Sequence, residues 1–416
     1  MGLGPSIKMT TKHHFFCPVS EEIEKAKDLE YTGIIIDGVS EVCDDKVYTA
    51  KRVGDLAQIL HADGAIVAID GWGNHHVDFV NVIRQLGIRG IPSVGLSYIG
   101  QQGRLVCSDP YVDCVIDFNK NVSGYESCIV GDNNLTSYDA MKAVALLKNK
   151  MRKAGSYHPG EYLEGEEVIL RKLIRKTFPV AEVKWGDTTQ FGKNVLIIEE
   201  SIADGLSMYE NRIRKIRVSI LPPGEHDGFV NSNLDYMPIA CKIRGELGEG
   251  VTYLLSGVTV MLTGVEEKSG FQPSNIGSSE GILREQVVLN RAGTPLDSDF
   301  ILHIDTTFKE GEGRTAEGIM AAHRCADRIL EKIRRSMREA VGIPYISETF
   351  YDKRKSGCAR VIQVKIVSGL GNMYDTAVFP IQPAGILGSH SMRESGNLPY
   401  VVTPNQCRDG VIHSLL

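Results

Sequence analysis

The sequence has little that would place the protein in a membrane or on a nucleic acid. None of its apolar runs approaches the ~18 residues that a membrane-spanning helix requires. The 46 Lys and Arg are outnumbered by 52 Asp and Glu, for a net charge of −6, whereas nucleic-acid-binding domains carry a concentrated basic face. The first residues lack a charged segment followed by an apolar one. We therefore expect a cytoplasmic protein with no membrane and no nucleic-acid partner.

Several chemical signatures are also missing. The nine cysteines are odd in number and irregularly spaced, and no two of them form Cys-x-x-Cys. This pattern predicts neither a disulfide framework nor a zinc site, so we expect reduced thiols and no metal. The sequence has no selenocysteine and no Gly-x-x-x-x-Gly-Lys, Gly-x-Ser-x-Gly or His-Glu-x-x-His motif. These absences exclude a phosphate-binding P-loop, a serine-hydrolase elbow and a zinc protease.

What the sequence does have is a composition typical of globular proteins, with 42% hydrophobic and 24% charged residues. Its 416 residues are enough for two to three ordinary domains. In the first part, short β-branched apolar runs alternate with helical patterns. Strands are predicted at 31–36, 63–70, 91–99 and 112–118, and helices at 51–61, 76–87 and 136–152. This alternation predicts an α/β fold with a doubly wound parallel sheet, whose functional residues gather beyond the carboxyl ends of the strands.

The second part of the chain has a different pattern. Residues 153–165 are rich in Gly, Pro and polar residues, which predicts a linker between a domain at 1–152 and a larger α+β domain at 166–416. Beyond it, strands are predicted at 168–178, 194–199, 212–221, 251–263, 299–308 and 359–368. Helices are predicted only at 278–290 and 315–340. The basic residues of 328–338 are interpreted as the solvent-exposed face of the second helix.

Residues 71–78 (Gly-Trp-Gly-Asn-His-His-Val-Asp) form the most suggestive motif, because they follow the strand ending at Asp70 and open a helix. Glycines let a backbone approach a ligand closely, and a helix N-terminus attracts anions. His76 and Asp78 offer proton-transfer groups. A tight turn with a capping Asn74 and a packed Trp72 explains the same residues, and spacing alone does not decide between the two interpretations.

Four other segments carry polar groups, each with a structural alternative. His13 and His14 offer acid–base groups near the chain start, or are ordinary histidines. The turn at 222–227 holds Glu225, His226 and Asp227, but turn chemistry alone explains much of it. Glu280 lies in a helix-start pattern. His323 is expected to be a packed helix residue.

The chain resembles the D-proline reductase and glycine, sarcosine and betaine reductase component B family in two segments. Residues 1–152 are similar to the carbonyl-bearing subunit in Thr10-Thr11, His13-His14 and the stretches 31–36, 64–78 and 143–151. Residues from about 166 to 416 are similar to the other part of the same precursor. The matching stretches there are 222–227, 237–239, 262–265, 277–281, 291–295, 321–324 and 373–376.

The resemblance implies reductive C–N cleavage of an amino acid in anaerobic (Stickland) fermentation. Family members use a pyruvoyl group, made from a precursor cysteine, and a selenolate on a partner subunit. This chain departs in two respects, since its two segments are in inverted order and Gly2 stands at the cysteine position. The resemblance thus implies a vacant pyruvoyl position at Gly2 and no cofactor. It also implies ligand contacts, at Gly71, Trp72, Gly73 and Asn74. The candidate catalytic residues are His13, His14, Asp70, His76, Asp78 and Glu280.

Three functions remain open at this point. The chain is an accessory paralogue of the reductase, a genuine subunit for a cyclic or N-substituted amino acid, or a module that binds an amino-acid-like molecule. The expected partners are a reductase selenoprotein subunit and further copies of the chain in a homo-oligomer. Because fusion raises the effective concentration of two segments, we expect them to pack together with the 71–78 turn near their interface.

Overall fold

The computed structural model describes residues 17–39, 42–69, 75–97, 103–120, 122, 129–132, 134–160, 167–266, 280–291, 294–313, 315–367 and 398–409. In these ranges the helices are α1 Pro18–Lys25, α2 Cys43–Ile59, α3 His75–Ile88, α4 Ser137–Ala154, α5 Leu206–Tyr209, α6 Leu283–Gln286, α7 Ala316–Glu339 and α8 Pro404–Arg408. None of these helices is long and apolar enough to cross a membrane.

The first strands are β1 Leu29–Gly38, β2 Gly64–Ile69, β3 Ser93–Ser97 and β4 Val115–Asp117. They are followed by β5 Glu167–Pro179, β6 Glu182–Gly186, β7 Gln190–Gly192, β8 Val195–Glu199, β9 Ile213–Leu221, β10 Phe229–Val230, β11 Ser232–Met237, β12 Ala240–Arg244, β13 Gly250–Ser256 and β14 Val258–Glu266. The remaining strands are β15 Gly281–Ile282, β16 Phe300–Phe308, β17 Ile346–Lys355, β18 Ala359–Val367 and β19 Tyr400–Val402.

A six-stranded sheet has the order β19-β1-β18-β2-β3-β4 and forms the central layer between two layers of helices. All neighbouring strands are parallel except β19, which runs antiparallel to β1. Apolar side chains of α2 and α3 cover one face, and those of α1 and α4 cover the other. The predicted α/β class is confirmed. Each inner strand is buried on both faces, which explains why its sequence reads as a nearly continuous apolar run.

Strands β18 and β19 complete this sheet, although the sequence analysis assigned residues 359–368 to the α+β domain. β18 lies between β1 and β2 and pairs in parallel with both. The sheet therefore draws strands from both sides of the predicted linker at 153–165. Local sequence shows that Val361 and its neighbours form a strand, but it carries no information about which distant strands it joins.

The other sheets are mixed. They have the orders β11-β14-β16-β9, β12-β13-β5-β17, β6-β8-β7 and β10-β15. The long helix α7 packs on the first of them and buries an apolar stripe that includes Ile329 and Ile333. Its first turn is capped by Thr315, whose side chain accepts a hydrogen bond of 2.9 Å from the Gly318 amide. The predicted helix at 315–340 agrees with α7.

The interpretation of 328–338 as a solvent-exposed basic face is wrong for one residue. Arg328 and Arg335 are exposed, but Arg334 is 0% exposed and lies 2.7 Å from Asp327, which is also buried. The Arg334 guanidinium also donates a hydrogen bond of 3.1 Å to the Ala240 carbonyl. The long Arg334 side chain pairs with the buried Asp327. The periodicity of a helix predicts which residues are apolar or exposed, but it does not predict such an ion pair.

This buried pair leads to a stability prediction. Arg334→Ala leaves the Asp327 carboxylate buried without that guanidinium, so we expect a loss of about 3–5 kcal/mol in the free energy of unfolding. Arg335→Ala, one residue along the same helix and exposed, should change it by less than about 0.5 kcal/mol. Urea unfolding followed by circular dichroism measures both, and similar losses for the two variants would contradict a structural role for the pair.

The helix predicted at 278–290 is also corrected. Among the described residues of this stretch only Leu283–Gln286 is helical, and β15 precedes it. The chain leaves the helix at Val287 because it pairs with Val130. The Val130 amide donates to the Gln286 carbonyl at 2.9 Å, and the Val288 amide donates to the Val130 carbonyl at 2.8 Å. Long-range pairing thus overrides a local helix-start pattern.

Candidate functional site

The carboxyl ends of the parallel strands β1, β18, β2 and β3 meet at one edge of the six-stranded sheet. This is the edge at which open α/β sheets bind ligands. Asp37 is the penultimate residue of β1, and α2 and α3 begin after β1 and β2 respectively. The sequence order therefore brings the first turns of both helices to the carboxylate of Asp37.

Three ionisable side chains form a buried cluster there, and we call Asp37, Lys46 and Asp78 the carboxyl-edge cluster. The Lys46 ammonium lies 2.5 Å from the Asp78 carboxylate, with 2% and 1% of the two side chains exposed. Asp37 is 0% exposed. Neither of its carboxyl oxygens has a hydrogen-bond partner among the described residues. A buried acid with so few partners among the described residues is unusual in a protein interior and is typical of functional sites.

The two acids of this cluster, Asp37 and Asp78, differ in their protonation state. Burial raises the pKa of Asp37 well above its ordinary value and the Asp78 charge raises it further, while the backbone amide of the adjacent Gly38 and the Lys46 charge lower it. One lysine can neutralise only one of two neighbouring carboxylates, so the second retains its proton. The cluster thus contains an ion pair, Lys46 with Asp78, beside a protonated Asp37.

Two histidines extend the cluster along the first turn of α3. Burial lowers the pKa of His75 to about 4, and the Lys46 charge contributes to the shift. Burial also lowers the pKa of His76. The Nδ1 atoms of both rings are buried and have no hydrogen-bond partner among the described residues. Near neutral pH both imidazoles are therefore uncharged and retain an unused polar atom.

His76 also lines a cavity of about 290 Å³ together with Arg104, Ser108 and Asp117. Its ring packs on Phe79, with the ring centroids 5.2 Å apart. Gly103 approaches so closely that a Cβ built there would lie 2.3 Å from the imidazole. The glycine is needed for this contact, which fixes one side of the ring while the other faces the cavity.

The structure places the sequence-predicted residues unevenly. It brings His76 and Asp78 together at the carboxyl edge. Glu280 is exposed and precedes β15 in a different sheet. The predicted residues that lie outside the described ranges are Gly2, His13, His14, Asp70, Gly71, Trp72, Gly73 and Asn74. Their roles, and the position of the 71–78 turn near an interface, stay predictions.

The remaining polar candidates lie elsewhere. His323 is 0% exposed, and its Nδ1 lies 2.8 Å from the Ile319 carbonyl within α7, so it is a packed helix residue as expected. Asp227 is exposed and pairs with Arg284 at 2.6 Å. His226 is 9% exposed in the turn after β9. Within the described ranges, no group of three or more His, Cys, Asp or Glu residues has the arrangement of a metal site.

Sequence reasoning missed Asp37 and Lys46. Asp37 directly follows the apolar run 31–36, so its position at the carboxyl end of a buried strand was a usable signal. Lys46 gave no such signal, because a lysine in the first turns of an amphipathic helix is usually exposed. Its burial follows only from the packing of α2 against α3.

Comparison with known proteins identifies the family. A family model described as glycine/sarcosine/betaine reductase component B subunits matches residues 3–125 and 171–279, more than half of the chain. The chain belongs to this family. The first matched range contains the carboxyl-edge cluster and both histidines, so the candidate site lies within the family's own part of the structure.

Individual relatives agree with the component B family. Over 253 residues the chain is 31% identical to the D-proline reductase proprotein PrdA of Acetoanaerobium sticklandii. The aligned region is 60% of this chain and 40% of the relative. The chain is 34% identical over 80 residues to the sarcosine reductase complex component B subunit alpha of Peptoclostridium acidaminophilum, 19% of each chain. The betaine reductase counterpart is 36% identical over 74 residues, 18% of this chain and 17% of the relative. The chain thus spans less than half the length of these relatives. No solved structure matches it.

Proposed function

We propose that the chain is a paralogue or accessory component of a D-proline reductase or glycine reductase-type system for reductive C–N cleavage, without a pyruvoyl group of its own. Gly2 carries the proposal. Counted back from Thr10-Thr11 and His13-His14, it occupies the precursor-cysteine position of the resemblance. A pyruvoyl group derives its methyl carbon from the side chain of its precursor residue. Glycine has no side chain, so this position does not fit the group.

The carboxyl-edge cluster supports a binding role. Its ion pair between Lys46 and Asp78 is internally neutral, and Asp37 with His75 and His76 adds uncharged groups that donate or accept a proton. Such groups can hold a polar ligand at the sheet edge without a large desolvation cost. Because Lys46 is held as an ion pair, we assign it a positioning role and not that of a free nucleophilic amine.

The relatives support a role beside other subunits. Two of them are named as component B subunits of sarcosine and betaine reductase complexes. We propose that this chain likewise associates with a reductase selenoprotein subunit and with further copies of itself. A second candidate function is a genuine reductase subunit for a cyclic or N-substituted amino acid. The presence of Asp37, His76 and Asp78 together at one edge favours it, but it needs a carbonyl group from elsewhere.

The proposal can be tested by measuring the intact mass of the purified protein before and after treatment with phenylhydrazine. This reagent forms a hydrazone with a pyruvoyl carbonyl and would increase the mass. We expect one uncut chain with an unchanged mass in both samples. The carbonyl-bearing subunit of a D-proline reductase, treated in parallel, serves as the positive control. A hydrazone adduct, or two fragments produced by cleavage before an internal cysteine, would favour the second candidate function.

An activity assay completes the test. The full chain, alone and with the selenoprotein subunit of a D-proline reductase, should give no reductive cleavage of D-proline or glycine. Co-purification with that subunit, or a change in the rate of the assembled reductase, is the expected positive result. Turnover by the chain with the selenoprotein alone would contradict the accessory role.

A further inference from the structure

The sheet β11-β14-β16-β9 carries a polar network far along the chain from the carboxyl-edge cluster. Side chains alternate along β16, so Leu302 and Ile304 face α7 while Ile301, His303 and Asp305 face the other way. On that second face Ile301 belongs to a small apolar cluster. The face then becomes polar at His303 and Asp305, where apolar packing would be expected to continue. We call Asn231, Thr263, His303 and Asp305, with Arg217, the sheet-face site.

Hydrogen bonds fix the four central side chains. Thr263 Oγ1 lies 2.7 Å from His303 Nε2, and the Thr263 hydroxyl donates to Asp305 Oδ1 at 2.9 Å. The Asn231 amide donates to the same oxygen at 2.7 Å. Both bonds to Asp305 use Oδ1, and its Oδ2 accepts no hydrogen bond from a described residue. The network thus orients the carboxylate and leaves one oxygen for another donor.

The same network sets the tautomer of His303. A threonine hydroxyl has one proton, and here it goes to Asp305. His303 Nε2 must therefore donate to Thr263 Oγ1, which leaves Nδ1 unprotonated in the neutral ring. Burial lowers the pKa of His303, Asp305 raises it and Arg217 lowers it. The net direction favours the neutral ring, so Nδ1 is a hydrogen-bond acceptor on a ring that Thr263 links to the Asp305 carboxylate.

Arg217 supplies the opposite charge. It is the cross-strand partner of Asp305 on β9 and is exposed. Directly paired residues on antiparallel strands have Cβ atoms roughly 4.5–5.5 Å apart, within easy reach of an ion pair. Among the residues that the structure describes, however, Arg217 forms no ion pair or hydrogen bond. Within the described ranges, an oriented carboxylate and a guanidinium with no ion-pair partner thus belong to directly paired residues on one face.

We propose that the sheet-face site binds a small zwitterion, an α-amino acid whose ammonium group lies against Asp305 and His303 and whose carboxylate pairs with Arg217. Carboxylate and imidazole nitrogen are acceptors for an ammonium donor, and the guanidinium fork matches a carboxylate. The proposal goes beyond the proposed function, because it concerns a different sheet and is independent of a carbonyl group at Gly2.

Isothermal titration of the full chain with glycine and with proline tests it. Acetate, methylamine and pyrrolidine are the singly charged probes. We expect saturable binding of at least one amino acid, and binding of the singly charged probes that is weaker by roughly tenfold or more, because each lacks one charge-assisted contact. Binding of neither amino acid, or equal binding of acetate or an amine, would overturn the proposal.

Variants test the residues. Arg217→Ala and Asp305→Asn should each weaken binding by roughly tenfold or more. Arg214→Ala is the control, because Arg214 is exposed at the bulge of the same strand and is not the cross-strand partner of any residue of the site, so affinity should stay unchanged. Arg217 is exposed, so its variant should fold even if Asp305→Asn does not. Unchanged affinity in Arg217→Ala would overturn the site.

Hydrogen exchange then locates the ligand and separates this proposal from the proposed function. Protection is expected in peptides covering β14 and β16. Ligand-induced protection confined to α2 and α3 would place the amino acid at the carboxyl edge, which would overturn the sheet-face site and leave the proposed function intact.

Discussion

Replacing Lys46 with Met is expected to lower the free energy of unfolding by about 3–5 kcal/mol, because it leaves the Asp78 carboxylate buried opposite an apolar side chain. The two partners are 2% and 1% exposed, so water cannot solvate the remaining charge. Lys51→Met is the matched control on α2, since Lys51 is exposed. It should change the free energy by less than about 0.5 kcal/mol.

A double variant separates the missing partner from lost packing. In Lys46→Met with Asp78→Leu both charges are gone, so we expect it to recover more than half of the loss. Urea unfolding of the four proteins at one pH gives the comparison. If the double variant is less stable than Lys46→Met, the Asp78 carboxylate is not the source of the destabilisation, and our description of the ion pair is wrong.

The second large effect is a loss of stability in acid that depends on His75. Its pKa is lowered from 6.5 to about 4 in the folded chain, with burial as the main cause. The unfolded chain therefore binds a proton at His75 at a higher pH than the folded chain does. Stability contributed by the neutral ring is present above pH 6.5 and is lost as the pH falls from 6.5 towards 4, by up to about 3 kcal/mol.

Many carboxylates also titrate in acid, so the informative quantity is the difference between variants. His75→Gln should be less sensitive to acid than the native chain, with the gap growing between pH 6.5 and 4. His158→Gln is the control, because His158 is exposed. Urea unfolding midpoints at pH 7.5, 6 and 5 measure the difference in stability between each variant and the native chain. Parallel pH curves for native and His75→Gln proteins would show that His75 is not buried in this way.

Asp37 should act in the opposite sense. Its raised pKa means that the folded chain retains the proton to a higher pH than the unfolded chain. The stability associated with the protonated acid is complete below the ordinary pKa of 3.8 and is lost as the pH rises through the folded value. Asp37→Asn keeps the shape and removes the ionisation, so its stability relative to the native chain should increase with pH. A constant difference across the same urea series would contradict this.

The parts of the fold that local sequence predicted are those that local physics determines. Continuous β-branched runs marked β1 to β3 because both faces of each strand are buried, and the apolar stripe of α7 marked its length. The position of β18 between β1 and β2, and the pairing of Val130 with Val287, depend on contacts between distant residues. No local pattern encodes those contacts, so the helix predicted at 278–290 was wrong.

In the candidate site, too, local sequence predicted some residues and missed those that depend on tertiary contacts. The 71–78 motif pointed to His76 and Asp78, because a strand-to-helix turn at a sheet edge is recognisable in sequence. Asp37 and Lys46 were missed because their significance lies in burial and in mutual contact. The sheet-face site was missed for a related reason, since Arg217, Thr263 and Asp305 lie on three strands that only the folded sheet aligns.

The insertion of β18 between β1 and β2 sets the order in which the protein can assemble during synthesis. On the ribosome, β1, α2 and β2 emerge long before residues 359–367 do. Until then the nascent sheet lacks an inner strand, and β1 and β2 present open edges that favour wrong pairings. The Asp37 end of β1 cannot reach its final surroundings before β18 docks beside it. The carboxyl-edge cluster is therefore complete only after residues 359–367 have been made, and a product truncated before them would lack the final surroundings of Asp37.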